Sequence, residues 1–221
     1  MDDFYTLKAR EHAGVITEAG IVGPIADLGC GAGELLSQFS KLLQVEVAID
    51  FSASMLAEAK RRLDGQSIQL IQSDALTAAR SLACPVWISC GAAGQYLDAL
   101  ELRNLVRAFT DAAPARALVL FDCVDPARYG MQLPSSLYPI TPVAPPGMPR
   151  RIKAYVRAMW RGLRLTMNGA INTGHRLGST GMGYGYFPAF WQNLCAGAHL
   201  HCHIVSSGLY EYRYHVIIRK A

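Results

Sequence analysis

The chain has few charged residues, no long hydrophobic run and no paired cysteine motif. Charged residues make up 17% and hydrophobic residues 51% of its 221 positions, which indicates a folded protein rather than a disordered one. No apolar run approaches the roughly 18–20 residues of a membrane span, and the acidic N-terminus lacks a signal-peptide pattern. None of the six cysteines forms a C-x-x-C pair, and the net charge of +4 does not by itself indicate nucleic acid. These absences predict one cytoplasmic domain with reduced thiols and a two-sided α/β core.

A glycine-rich turn between two strand-like runs is the most informative feature of the sequence. The apolar run 25–28 leads into the G-x-G-x-G sequence of residues 29–33, and a second run, 45–49, ends in Asp50. Glycines let a backbone turn sharply and lie against a ligand, because no Cβ is in the way. Parallel strands end at the same edge of a sheet, so Asp50 is placed to accept hydrogen bonds from a ribose diol. The pattern predicts a nucleoside-bearing cofactor.

The sixth position of the loop distinguishes between such cofactors. A dinucleotide loop of the type G-x-G-x-x-G has glycine there, whereas this chain has Glu34. A carboxylate at a helix N-terminus suits the helix dipole but would repel a pyrophosphate. Asp27 adds a second acid just before the turn. An acid followed by G-x-G-x-G resembles motif I of the class I S-adenosylmethionine-dependent methyltransferases, whose cofactor has a sulfonium, an ammonium and a ribose but no phosphate.

The order of strand-like and helix-like runs predicts the fold. Strands are expected at 25–28, 45–49, 68–71, 86–89 and 117–121, with helices between them, which indicates a parallel sheet built from βαβ units. Two runs near the end, 201–205 and 210–218, are joined by a short turn and should pair antiparallel. Such an ending resembles the same family. The resemblance implies an α/β fold with a seven-stranded mostly parallel sheet, helices on both faces and an antiparallel last strand.

The stretch from residue 124 to residue 186 is not needed for that sheet. It is Pro-rich at its start and Gly-rich at its end. In the family, insertions after strand five commonly form the substrate lid. We therefore predict a single methyltransferase domain over 1–221, with its core at about 1–123 and 187–221 and a lid insertion after strand five at about 124–186.

The resemblance also assigns the cofactor contacts. Asp50 would bind the ribose hydroxyls, Phe51 and Met55 would pack against the adenine, and Asp74 would meet the adenine amino group. Each contact has an ordinary structural alternative, namely a helix N-terminal acid, core packing or a solvated helix face. The predicted cofactor-binding residues are Tyr5, Arg10, Asp27, Gly29, Cys30, Gly31, Gly33, Asp50, Phe51, Met55, Ser73, Asp74, Ala75, Cys90, Gly91 and Gln95.

Few residues are candidates for acid–base chemistry. Methyl transfer from a sulfonium is an in-line displacement, so much of its acceleration can come from proximity and orientation. A general base is needed only when the acceptor must lose a proton. The candidates are His175 in the insertion and Asp122 and Asp125 at the end of the fifth strand. Four tyrosines are predicted to shape the acceptor pocket: Tyr96, Tyr129, Tyr184 and Tyr186.

Residues 150–164 predict an amphipathic basic helix. Its apolar residues take one side and its bases recur on the other, at Lys153, Arg157, Arg161 and Arg164. Three interpretations stay open. The helix can be a lid packed on the core with a solvated basic face, it can meet an anionic acceptor, or it can touch a membrane surface or RNA.

Three alternating histidines, His199, His201 and His203, have a spacing that can hold a metal. No acidic residue completes the set locally, and the run lies far along the chain from the glycine loop. A polar strand face is the favoured interpretation, and no metal is predicted.

The sequence therefore predicts methyl transfer from S-adenosylmethionine, with S-adenosylhomocysteine as product, to an oxygen or nitrogen of a small-molecule acceptor such as a sugar or specialised metabolite. The alternatives are an RNA or protein methyltransferase that uses the basic helix 150–164, a nicotinamide oxidoreductase, and a non-catalytic cofactor-binding protein. Glu34 argues against the nicotinamide enzyme. No DNA partner is expected, RNA or membrane contact is not favoured, and a homodimer is compatible with the sequence.

Overall fold

The strands of the computed structural model form one large sheet and one small ribbon. The structure describes residues 4–90, 93–129, 148–167, 169–177 and 183–220. The large sheet has seven strands in the order β3-β2-β1-β4-β5-β9-β8, and β6 and β7 form the separate two-stranded ribbon. The strands are β1 Ile25–Leu28, β2 Val45–Asp50, β3 Gln69–Gln72, β4 Val86–Ser89, β5 Ala117–Val124, β6 His175–Arg176, β7 Tyr184–Gly185, β8 Leu200–Ser206 and β9 Arg213–Lys220.

The sheet topology confirms the predicted fold class. The first five strands pair parallel to one another, and β9 pairs antiparallel with both β5 and β8. The strand order reverses between β1 and β4, so a crevice opens beyond the carboxyl ends of these two strands. The glycine-rich turn follows β1 and therefore lies at this crevice.

Seven α-helices surround the sheet within the described residues. They are α1 Phe4–Glu18, α2 Glu34–Phe39, α3 Ala53–Arg62, α4 Ala75–Ala79, α5 Ala99–Asp111, α6 Met148–Met167 and α7 Pro188–Gly197. Local capping explains where two of them begin. Ser52 accepts a hydrogen bond from the Met55 amide at the start of α3, and Asp98 and Glu101 form a capping box on α5.

Helices cover both faces of the sheet because side chains alternate along each buried strand. One face packs against α4, α5 and α7 around Trp87, Phe109 and Trp191, and the other packs against α1, α2 and α3 around Phe39 and Phe121. Most residues of β1, β4 and β5 are buried on both faces. Continuous apolar runs of this kind are typical of central parallel strands.

The closing residues of the predicted insertion and the basic helix within it pack differently against the core. Its closing residues belong to the core, since Tyr186 is 2% exposed, packs against Phe190 and Trp191, and donates from its amide to the Val124 carbonyl. Among the described residues, therefore, the core begins before residue 187. The basic helix is present as α6, but most of its large apolar side chains are exposed, contrary to the interpretation in which they pack on the core.

The sequence patterns set no bounds for α4 and do not predict α7. The first has only five residues, and the second is apolar around much of its circumference, so neither has a clear helical period. All six cysteines are free thiols, and five are buried. Among the described helices, none combines the length and the hydrophobicity that a membrane crossing requires.

Candidate functional site

The glycine loop wraps tightly around the end of β2. Gly29, Gly31 and Gly33 have φ values of 86°, 58° and 80°, which favour glycine. The Gly29 amide donates to the Ile49 carbonyl over 2.8 Å. A Cβ on Gly33 would lie 3.2 Å from the Ala59 Cα, so this glycine also lets the loop pack closely against α3.

Asp50 links the loop to the start of α3. It is 8% exposed; its Oδ2 accepts from the Gly31 amide over 2.8 Å, and its Oδ1 accepts from the Ser52 amide over 2.9 Å. Each carboxylate oxygen has a second lone pair. The side chain can therefore hold the loop in place and still accept hydrogen bonds from a ligand diol.

Asp27 provides a buried carboxyl group beneath the loop. It has no exposed surface, and its Oδ1 accepts from the Cys90 amide over 3.0 Å. Its Oδ2 has no hydrogen-bond partner in the described part of the chain. Burial raises the pKa of Asp27 to about 7, and the charge of Asp50 adds to this effect. A positively charged ligand group beside it would favour the ionised form.

Apolar side chains border the crevice on the β2 side. Phe51 is 76% exposed and Met55 is 47% exposed, an unusual state for side chains of this size. Phe51 and Met55 offer a surface on which a flat aromatic ring can stack.

Asp74 lies at the end of β3 and caps α4, since its Oδ1 accepts from the Thr77 amide over 2.8 Å. Hydrogen bonds from Thr77 hold the pKa of Asp74 below its usual value.

Other predicted cofactor residues near this border have ordinary backbone roles. The Cys30 amide donates to the Ile49 carbonyl, the Ser73 amide donates to the Asp50 carbonyl, and Ala75 is the first residue of α4. Their positions adjoin the crevice, and their contacts with a cofactor stay predictions.

The residues that follow β4 face inward more than predicted. Cys90 is 1% exposed and Gln95 is 8% exposed, and the Gln95 side-chain amide donates to the Asp122 carbonyl over 3.2 Å. Both side chains therefore lie in the interior, and their contacts with a cofactor stay predictions. Tyr96 is 71% exposed, whereas Gly91 lies outside the described residues.

Asp122 belongs to a buried ionic cluster. The pairing of β5 with β9 is irregular between Leu120 and Cys123, and Asp122 has a φ of 57° at this irregularity. Its Oδ2 lies 2.6 Å from the Lys8 Nζ and 3.3 Å from the His12 Nε2, both on α1. Burial opposes ionisation, but His12 and Lys8 hold the pKa of Asp122 well below its usual range. The carboxylate is fully buried and ion-paired, so the structure does not support its predicted role as a base.

Glu11 and His215 extend this cluster. The Glu11 Oε1 lies 3.5 Å from the His215 Nε2 and accepts from the Ser207 hydroxyl over 2.9 Å. Glu11, His12 and His215 are close enough together to suggest a metal site. However, the His215 Nδ1 accepts a hydrogen bond from the Asp122 amide, so its proton is on Nε2. A metal at Nε2 would need the opposite tautomer, and the geometry favours hydrogen bonding instead.

The remaining base candidates lie nearer the surface. Asp125 accepts from the Ala127 amide over 2.9 Å, and burial raises its pKa. His175 lies half-buried in β6, with its ring edge-on to Phe187 at 5.3 Å between centroids. The exposed residues His201 and His203 occupy one face of the edge strand β8, as the polar-face interpretation predicts. His199 precedes the strand and has a φ of 54°, so the prediction that it shares this strand face is wrong.

The predicted pocket tyrosines are not grouped together. Tyr186 is part of the core and donates from its hydroxyl to the Leu97 carbonyl over 2.8 Å, so it does not line an open pocket as predicted. Tyr129 packs edge-on against Tyr212, with 6.2 Å between ring centroids. Tyr184 is half-buried in β7 and lies beneath the Arg176 guanidinium. Of the four predicted tyrosines, Tyr129 and Tyr184 are the two that are partly exposed.

The N-terminal helix carries two further predicted residues. Tyr5 is half-buried and packs at the edge of the core formed with α1, α2 and α3. Arg10 is exposed on the same helix. Their roles at the cofactor stay predictions.

The buried ionic cluster was missed in the sequence. Lys8 and His12 lie four residues apart, a spacing that places two side chains on one helix face, and His215 interrupts an otherwise apolar strand. Those two signals predict inward-facing polar residues. They do not reveal that Asp122 is the partner, because the irregularity in β5 decides where that side chain points.

Two open grooves of about 500 Å³ and 510 Å³ lie beside β2 and β3, one against α4 and one beside Ser40 and Lys41, and Glu46 lines both. Neither is lined by the glycine loop, Asp27 or Asp50. The site is therefore identified by its chemistry and by its place at the reversal of strand order, rather than by cavity size.

Comparisons with known proteins agree with this geometry. Residues 25–113 match a family model described as a methyltransferase domain. CalS10 of Micromonospora echinaspora, an amino pentose methyltransferase involved in calicheamicin biosynthesis, is 16% identical with a TM-score of 0.61, over 99% of this chain and 92% of that chain. DesVI of Streptomyces venezuelae is 15% identical with a TM-score of 0.59, over 98% and 92% of the two chains.

A third structure is similar and holds a ligand. The magnesium protoporphyrin IX methyltransferase of Synechocystis PCC 6803, with bound S-adenosylmethionine, is 12% identical with a TM-score of 0.55, over 98% of this chain and 79% of that chain. No curated protein sequence matches the chain. At these identities the solved structures show a shared fold. The match to the family model, over residues 25–113, is the finding that indicates a methyltransferase domain.

Proposed function

We propose that the chain is a class I S-adenosylmethionine-dependent methyltransferase that methylates an oxygen or nitrogen of a small-molecule acceptor, such as a sugar or other specialised metabolite. The observation that carries the proposal is the arrangement of Asp50 and Asp27 around the glycine loop. It provides acceptors for a ribose and an acid for an ammonium.

The residues around the crevice have separate roles in this proposal. Asp50 uses its remaining lone pairs for the ribose hydroxyls, Asp27 offers its unpartnered Oδ2 to the ammonium, and Phe51 packs on the adenine. The bound cofactor supplies an electrophilic methyl group on a sulfonium. In the transfer, the methyl–sulfur bond breaks as the bond to the acceptor forms, and S-adenosylhomocysteine leaves as a neutral thioether.

The acceptor needs a free lone pair to attack the methyl group. A neutral amine already has one, and its methylated product carries the positive charge as an ammonium, so no base is needed in the transfer itself. A hydroxyl has to give up its proton as it attacks and needs a base. Asp122 is ion-paired in the interior, so the described base candidates are Asp125 and His175. If the acceptor is an amine, the main task of the protein is therefore to orient it. If the acceptor is a hydroxyl, the protein also has to remove its proton.

The small size of the proposed acceptor is supported by the neighbouring structures and by the insertion. Two neighbours are matched over 92% of their own length, and one of them is named as an amino pentose methyltransferase. The insertion follows β5, and its described residue Tyr184 is half-buried near the carboxyl edge of the sheet. Half-buried aromatic side chains in that place suit a ring-shaped acceptor.

The cofactor part of the proposal is tested with Phe51→Ala. Because Phe51 is 76% exposed, its loss should leave the unfolding temperature unchanged and weaken S-adenosylhomocysteine binding by about tenfold in calorimetry. Val22→Ala is the matched control, since Val22 is 84% exposed just before the amino end of β1 and should change neither quantity. Unchanged affinity in Phe51→Ala would remove the adenine contact from the proposal.

The acceptor part is tested by transfer of a radiolabelled methyl group from S-adenosylmethionine. The acceptors compared are amino sugars, sugar hydroxyls, phenols, total RNA and unfractionated protein. Labelling of a small molecule with release of S-adenosylhomocysteine supports the proposal. Labelling of RNA or protein alone would instead support a macromolecular acceptor, and tight cofactor binding with no transfer to any class would support a non-catalytic role.

A further inference from the structure

Helix α6 contacts the rest of the protein through its small residues. Ala158 is 9% exposed, and Ala154 and Gly162 on the same side are half-buried. A Cβ on Gly162 would lie 3.3 Å from the Ala127 Cβ, just beyond the end of β5. The helix is therefore held against the body by a narrow strip of small side chains, which leaves most of its circumference facing outward.

A broad apolar face of α6 points away from the body. Its seven large side chains are between 44% and 78% exposed. At 3.6 residues per turn they lie on one continuous side, opposite much of the packed strip. Contiguous exposed apolar surface of this extent marks an interaction site rather than ordinary surface. The residues are Ile152, Tyr155, Val156, Met159, Trp160, Leu163 and Met167.

A basic stripe runs along one border of this apolar face. Six of the 21 basic residues of the chain lie in α6, and the helix has none of the 17 acidic residues. The positive net charge of +4 therefore arises from this one helix, and the rest of the chain is slightly acidic. The described bases of the stripe, all exposed, are Lys153, Arg157, Arg161 and Arg164.

We propose that α6 binds the surface of an anionic lipid bilayer, with its axis in the plane of the membrane. An apolar face rich in aromatic and long aliphatic side chains enters the boundary between headgroups and acyl chains, and the adjacent bases meet anionic headgroups. The charge of the helix complements such a surface. The proposal does not depend on the identity of the methyl acceptor. In it, α6 attaches the domain to the membrane surface.

Two other occupants fit the same helix less well. RNA would be attracted to the basic side chains, and its nucleobases can stack on Tyr155 and Trp160, but it offers no partner for the other five exposed apolar side chains of the neighbouring face. A second copy of the chain would cover the apolar face, but it would bring two acid-free basic stripes close together at the shared interface. A lipid surface satisfies the apolar face and the bases at once.

The three tryptophans allow a direct test. Trp87 and Trp191 are 0% and 1% exposed in the core, whereas Trp160 is 62% exposed on the apolar face. With vesicles of phosphatidylcholine and phosphatidylserine in equal parts, the full chain should sediment with the lipid. Its emission should shift to the blue, because Trp160 leaves water. Vesicles of phosphatidylcholine alone should bind at least about tenfold less protein, and salt should weaken the binding to anionic vesicles.

Variants separate the two faces of the helix. Met159→Ser with Trp160→Ser should reduce partitioning by about tenfold, and Arg157→Gln with Arg161→Gln should reduce it by about fivefold for each base removed. Arg61→Gln with Arg107→Gln is the matched control. It removes two bases that are 74% and 83% exposed on α3 and α5, and should leave binding unchanged.

Several results would overturn the proposal. One is that sedimentation and Trp160 emission stay unchanged with anionic vesicles. Another is that the control variant loses as much binding as the α6 variants, which would make net charge the cause. RNA binding that survives the apolar substitutions, without vesicle binding, would assign the helix to RNA. A dimer that falls apart in Met159→Ser with Trp160→Ser, again without vesicle binding, would assign it to self-association.

Discussion

Replacing Lys8 with methionine should destabilise the folded protein by about 3–5 kcal/mol, the usual cost of removing one partner of a buried ion pair. The Lys8 Nζ lies 2.6 Å from the Asp122 Oδ2, and the two side chains are 11% and 0% exposed. Methionine retains much of the apolar stem of lysine, so the change removes the charge rather than the packing. Of the groups that lower the Asp122 pKa, His12 and Arg213 would remain, and burial lowers the pKa of His12, which limits the charge that His12 can supply.

The measurement is urea unfolding at neutral pH, supported by thermal unfolding. In a chain of this length each kcal/mol corresponds to about 2–4 °C, so the melting temperature should fall by roughly 6–20 °C. Arg107→Met is the matched control, because Arg107 and Asp111 lie 3.9 Å apart and are 83% and 73% exposed. Breaking that surface pair should cost no more than about 1 kcal/mol.

A double-mutant cycle identifies the cause. Asp122→Asn keeps the shape of the side chain, and asparagine tolerates the φ of 57° at this position. In Lys8→Met with Asp122→Asn the carboxylate that would have lost its lysine partner is itself removed, so the double variant should be more stable than the sum of the single changes predicts, by about 2 kcal/mol or more. Additivity within about 0.5 kcal/mol would refute the reasoning, because it would mean that the two residues do not interact.

Two other predictions concern the glycine loop. Burial raises the pKa of Asp27 to about 7, so the folded protein without cofactor retains a proton that the unfolded chain loses above its ordinary pKa, and stability falls as pH rises from 4 to 7. The free energy of unfolding of Asp27→Asn, measured with urea, should therefore rise by up to about 4 kcal/mol relative to that of wild type across this pH range. A difference between the two proteins that does not change with pH would contradict the raised pKa. Gly33→Ala should cost about 1–3 kcal/mol, because the loop needs a φ of 80° and the new Cβ would meet Ala59. Gly65→Ala, with a φ of 78° and open space, should cost less in the same denaturation assay, and equal losses would make backbone strain the whole cause.

Local patterns in the sequence were sufficient for the framework and for the position of Asp50 beside the glycine loop. Strand runs such as Val86–Ser89, the cap at Ser52 and the glycine loop all depend on neighbours within a few residues, so a single sequence carries their signal. The acid at the end of β2 was placed correctly for the same reason, because alternation of strands and helices fixes which strand ends lie together.

The acceptor end was harder to predict, because it depends on contacts between distant segments. Asp122 read as an exposed strand-end acid, but the irregular pairing of β5 with β9 turns it toward Lys8 on α1. Tyr186 read as a pocket residue, but α7 packs over it. The sequence next to each of these residues carries no signal from which its position could be predicted.

Helix α6 shows the same division within one element. Its sequence by itself determined a helix with an apolar side and a basic side, because the period of the side chains is a local property. Which side would face the protein was decided only by the tertiary structure. The body of the protein accepts the strip of small residues at Ala158 and Gly162, since a close approach at Ala127 leaves no room for larger side chains, and the apolar face consequently remains exposed.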